Sequence, residues 1–165
     1  MSLNEEILFE IERETANTKR LLGNLDDSHL DWRPHEKSMS LGRLVGHIVE
    51  LHNWVNKALH TKTFNLGSDY LPFDPSSIGQ ALEALEGNYV LNTDFVSKMS
   101  EEDWQTMWTI QFGDYVIGTM PKLAALRFVI YNHLIHHRGQ LSVYMRLLDI
   151  PVPGLYGPSA DDVQG

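Results

Sequence analysis

The chain has 165 residues, 42% hydrophobic and 21% charged, which suits one domain over residues 1–165 with a sizeable core. Net charge is −9 with histidines neutral, and no Lys/Arg cluster interrupts it, which excludes the basic footprint of a nucleic-acid binder and reads as solubility. Cysteine is absent, which excludes disulfides, thiolate metal sites and a cysteine nucleophile, so any transition-metal site must draw on histidine, carboxylate and water.

No run approaches the apolar length of a membrane span. The opening Met1-Ser2-Leu3-Asn4-Glu5-Glu6 is acidic and enters a helical pattern at once, unlike a secretory leader, so a cytoplasmic location is expected. Leu8, Ile11, Thr15, Thr18 and Leu22 recur at helical spacing and predict a first helix near 3–23. Asn24 to Lys37 reads as a connection with one helical turn, its Trp32 and Pro34 folding onto the core. Ser40 is a good N-cap for a second helix, whose stripe Leu41, Leu44, Ile48, Leu51, Val55 and Leu59 ends near His60.

Residues 61–75 carry Gly67, Pro72 and Pro75 and read as a long loop, with Asn65 to Phe73 as its rim or interface segment. A third helix over 76–99 follows from Ile78, Leu82, Leu85, Tyr89, Val96 and Met99, and Glu101-Glu102-Asp103 starts one short turn. From 107 to 117 the period changes: Trp108, Ile110 and Phe112 alternate with polar residues, and Gly113-Asp114 precedes Tyr115-Val116-Ile117. That is a hairpin with a two-residue, Gly-first turn, which must lean on the helices as a flap or a decorated crossover. The fourth helix is expected from Thr119-Met120-Pro121 to about Asp149, where Pro151 and Pro153 stop it. Four long amphipathic helices imply an all-α four-helix bundle with long crossover connections and a small β-hairpin before the last helix.

The inward stripe of the last helix is Leu126, Ile130, His133, His137, Leu141, Tyr144 and Leu148. Positions i and i+4 share a helix face, so His133 and His137 lie one turn apart where Leu or Ile would be expected. Two buried imidazoles must satisfy a donor and an acceptor each, and a divalent ion absorbs both acceptors; polar neighbours are the alternative. A third ligand must come from another helix. His47 lies beside the helix-2 stripe, and His52 lies about 140° around from it, so one ion cannot easily use both. His136 is off the face of the pair and expected to be half-exposed, and His29, His35 and His60 read as surface residues.

The segment Leu44-Val45-Gly46-His47-Ile48, the string His133-Leu134-Ile135-His136-His137-Arg138-Gly139-Gln140-Leu141 and the tail Pro151-Val152-Pro153-Gly154-Leu155-Tyr156-Gly157 resemble the DinB-like (DinB/YfiT) family of metal-binding four-helix bundles. The resemblance spans essentially the whole chain. It implies His47, His133 and His137 as the ligands of a zinc or nickel ion with an open position, and a homodimer as the assembled form. Some relatives are metal-dependent thiol transferases that use bacillithiol, mycothiol or glutathione on small electrophiles, and maleylpyruvate isomerases belong to the wider group. A metal-dependent hydrolase and a non-catalytic binding protein remain open. The outer nitrogens of the ligands need orienting partners. Gln140, one turn after His137, and Glu50, one turn after His47, have the spacing, although Glu50 reads more readily as part of a solvated face. Arg138 points away from the His137 face, toward a carboxylate on another helix. Tyr131, Tyr144 and Trp54 read as core or dimer surface.

Overall fold

The computed structural model describes residues 1–162; the last three residues of the expected domain lie outside it. Helix α1 spans Leu3–Leu22, α2 Leu41–Lys57 and α3 Ile78–Ser97, followed by the short α4, Glu101–Gln105. Each of these starts on a serine whose hydroxyl accepts a backbone N–H of the first turn, at Ser2, Ser40, Ser77 and Ser100. Glu5 and Asp103 return the bond to complete capping boxes at Ser2 and Ser100. Between α1 and α2 the expected turn is a 3-10 turn at Asp27–His29, and Trp32 packs edge-on against Tyr144, whereas Pro34 stays exposed in a connection too polar to bury it.

The strands are β1 (Thr63–Asn65), β2 (Met107–Phe112) and β3 (Tyr115–Pro121). The hairpin is present with Gly113 at φ +57° as the first turn residue. It belongs to a three-stranded sheet in which β1 pairs in parallel with β2, so part of the expected 61–75 loop is a strand. Three residues are too few for an alternation signal; their partner, not their pattern, makes them a strand. The Trp108 indole donates to Ala58 O at 2.9 Å and ties the sheet to the end of α2.

The fourth helix differs from the expected continuous rod. β3 runs on to Pro121, so α5 begins at Lys122 and lasts only to Ala125. A π-helical turn, Leu126–Tyr131, leads into α6, Asn132–Leu147. Thr119 and Met120 pair with Thr109 and Trp108 on β2, and that pairing outweighs the start signal of the proline.

Contacts between helices set their directions. Asn4 reaches Met99 O and Lys19 reaches Glu86, so α1 and α3 are antiparallel. Asn53 bonds Asn88 and Asn56 bonds Asn92, so α2 and α3 are parallel. Tyr144 reaches Met39 O while His47 faces His133, so α2 and α6 are antiparallel. Glu10 pairs with Arg127 and Glu14 with Arg138, so α1 and α6 are parallel. The result is an up-down-down-up bundle. Its parallel α2–α3 pair requires the long 58–77 crossover, which carries β1, and β2 and β3 occupy the connection from α3 to α6. The core holds Leu41, Leu44, Ile48, Leu51, Leu126, Ile130, Leu134 and Leu141, all fully buried. Among the described residues no helix is long and apolar enough to cross a membrane.

Candidate metal centre

Midway along the α2–α6 contact, three imidazoles converge. His47 Nε2 lies 3.4 Å from His133 Nε2, and His137 Nε2 lies 2.8 Å from the same atom. One nitrogen from each ring falls within 4.8 Å of the others. The i,i+4 spacing stacks His133 and His137 on the inner face of α6, and the π turn ends just before that pair. π turns recur at functional positions because they re-aim the side chains that follow.

The outer nitrogens of His47 and His137 are engaged. His47 Nδ1 lies 2.7 Å from Glu50 Oε2, and His137 Nδ1 lies 2.7 Å from Gln140 Oε1. A carboxylate and an amide oxygen only accept, so each Nδ1 carries the proton and leaves its Nε2 as a bare lone pair. Lone pairs of that kind at 2.8–3.4 Å repel unless a proton or a cation lies among them. Such a donor set could hold a divalent ion. Burial holds the His133 ring down at about 4, helped by His137, His47 and His136, and burial also lowers His137 against the opposing bond from Gln140. Both rings are therefore neutral near pH 7, as ligation requires.

Glu50 corrects the expectation of a solvated face: it is only 5% exposed. Strap residues fold over α2 and bury it. Its carboxylate takes Arg43 through two contacts at 3.0 and 3.3 Å, Tyr70 Oη at 2.7 Å and the Phe73 backbone N–H. Burial alone would push this carboxyl up, but the bonds from His47, Phe73, Tyr70 and Arg43 hold it down at about 2. Tyr70 and Phe73 lie in the segment expected to form a rim. Gly46 makes that approach possible, since a Cβ there would sit 1.9 Å from Phe73 O. Trp54 closes another side, packing edge-on to His133 and Tyr70. It is core-buried, as expected, but also borders the site.

Arg43 and Tyr70 were not anticipated. A signal for the first existed: Arg43, His47, Glu50 and Trp54 step by 4, 3 and 4 along one face of α2. Tyr70 carried none, because its partner is 20 residues away across a crossover. The other histidines stay out of the cluster. His52 is buried on the far side of α2, with Nε2 2.8 Å from Thr18 Oγ1, and burial near Arg138 lowers it to about 3. His136, His35 and His60 are exposed and His29 is half-buried, so His136 is more open than expected. Arg138 is buried and reaches Glu14, Thr18 and Tyr156, as its direction predicted.

The fold agrees with that of similar proteins. The DinB family profile matches residues 1–164. The uncharacterized protein YrdA of Bacillus subtilis is 29% identical over 152 residues, covering 92% of this chain and 86% of that protein. A DinB-like protein of Bacillus cereus superposes with TM-score 0.71 at 27% identity, over 92% of this chain and 97% of the other. YfiT of Bacillus subtilis, described as a probable metal-dependent hydrolase with an unusual four-helix bundle topology, superposes with TM-score 0.64 at 15% identity, over 90% of each chain. At that identity the likeness to YfiT speaks for the fold. The chain belongs to the DinB family.

Proposed function

We propose that His47, His133 and His137 hold one divalent ion, zinc or nickel, and that the protein is a metal-dependent enzyme joining a low-molecular-weight thiol to an electrophilic small molecule. The observation that carries this reading is the convergence of three Nε2 atoms, with the His47 ring oriented from behind by Glu50 and the His137 ring by Gln140. Three protein donors leave a coordination position free, the pattern of a catalytic rather than a closed structural site. A bound ion supplies positive charge that lowers the pKa of a thiol or water beside it.

The chain itself holds and orients the rings. Glu50 fixes His47, and Arg43 and Tyr70 fix Glu50. Trp54 shields His133 from water on one side. With no cysteine in the chain, the reacting sulfur must arrive with the thiol. In the transfer the thiol gives up its proton, its sulfur forms a bond to the electrophilic carbon, and the leaving group departs with the electron pair. Hydrolysis by the same site is the second reading, favoured by the description of YfiT. On the family resemblance the working form is a homodimer, which light scattering checks.

The test uses protein purified without a metal-affinity tag. Elemental analysis is expected to find about one divalent ion per chain. Monobromobimane is then offered with glutathione, bacillithiol or mycothiol. Thiol-dependent loss of the electrophile, abolished in His47→Ala, supports the transferase. Turnover of ester substrates without any thiol supports the hydrolase. Metal binding without either leaves a binding module, and absence of metal refutes the site.

A further inference from the structure

Behind the histidine cluster, between α2, α3 and the strap of residues 69–73, lies a cavity of about 220 Å³ that no histidine lines. We infer that this cavity is a second site, for a neutral, single-ring aromatic molecule carrying one O–H or N–H donor. Its apolar part is aromatic, from Trp54, Phe64, Tyr70 and Phe73, and Ala84 of α3 is the small residue of the lining. Trp54 and Phe64 already meet edge-on at 5.1 Å between ring centres, and Trp54 and Tyr70 at 5.9 Å, the arrangement that receives a further ring. An apolar protein cavity of about 150 Å³ holds benzene, so this one accommodates a ring with a substituent. It is smaller than the roughly 300–1,000 Å³ of drug-sized sites, which limits the ligand to a fragment.

The polar lining specifies the substituent. Asn88 donates its amide to Val49 O at 3.1 Å, which turns its own oxygen toward Asn53 and receives the Asn53 amide at 2.9 Å. That chain fixes the orientation of both amides. Asn53 lines the cavity and its Oδ1 accepts no hydrogen bond among the described residues, so that oxygen is assigned to a donor on the ligand. The charge balance selects against ions. Glu50 is compensated by Arg43, and Lys57 and Asp69, both exposed at the mouth, carry opposite signs. A charged ligand would lose hydration without gaining a partner. The ligand would also brace Tyr70 and Phe73, the strap residues that bond Glu50.

The test is an NMR titration of the full chain, metal-free, with phenol as the probe, so that its result does not depend on the proposed metal chemistry. Saturable shifts are expected at the Trp54 indole N–H, the Asn53 and Asn88 side-chain amides and the Leu71 and Phe73 backbone. Ala84→Phe fills the space and is expected to weaken binding by about tenfold or more. Ala84→Leu, a smaller insertion that guards against a folding failure, is expected to weaken it by less. Circular dichroism and zinc stoichiometry are expected to stay at wild-type values in any variant that is scored. Absence of saturable shifts overturns the site, as do shifts of equal size in wild type and both folded variants.

Discussion

Glu50→Gln separates the electrostatic role of this carboxylate from its shape. The folded-state value of Glu50 is about 2 against an ordinary 4.5. A carboxyl whose value is depressed on folding contributes stability that is present above the unfolded value and is lost as pH falls toward the folded one. At about 1.4 kcal/mol per unit the full gap is worth about 3 kcal/mol. By pH 3 about 2 kcal/mol of it has been lost, because the unfolded chain already holds the proton there and the folded chain largely does not. The side chain is only 5% exposed, so solvent screening removes little. Glutamine keeps the size and one acceptor oxygen but not the charge. Urea unfolding of the metal-free protein at pH 6 and pH 3 is expected to show the wild type losing about 2 kcal/mol more than the variant. At pH 7 the variant is also expected to bind zinc about 10–100-fold more weakly, since His47 loses its charged anchor. Parallel pH dependence in the two proteins would refute the electrostatic account of Glu50.

Other outcomes follow from the same geometry. His133→Ala and His137→Ala are expected to abolish stoichiometric metal, while His136→Ala and His52→Ala retain it; elemental analysis distinguishes them, and equal loss from all four would contradict the convergence described. Because burial lowers His133 to about 4 and also lowers His137, zinc uptake is expected to persist well below pH 6.5, the ordinary midpoint of histidine; a midpoint at or above it, in a zinc titration across pH, would contradict those shifts. Gly46→Ala forces the strap off α2, because the new Cβ would overlap Phe73 O. It is expected to cost about 1–3 kcal/mol in thermal or urea unfolding and to raise amide exchange at Phe73; wild-type stability and protection would show that the strap does not need that close approach.

Several features were legible in the chain because their causes are local. Hydrophobic spacing located α1, α2 and α3, a serine cap marked the start of α2, and Gly113-Asp114 set the hairpin turn. The four-residue step from His133 to His137 placed two rings on one face, since helical geometry is the same wherever the helix sits. The match of His47 with them came from resemblance, and the tertiary fold brought its Nε2 within reach. Reading the same face of α2 by period would also have drawn in Arg43.

What the sequence by itself determined, then, is the set of rods, the apolar stripe on each and the paired histidines, all governed by neighbours within a turn or two. Tertiary structure alone decided the up-down-down-up order of the helices and the parallel pairing of Thr63–Asn65 with β2. It also decided the late start of the last helix, where strand pairing competes with helix propensity, and the burial of Glu50 beneath Tyr70 and Phe73. Each of these depends on groups distant in the chain, and whether a carboxylate faces water or a histidine is set by what folds over it.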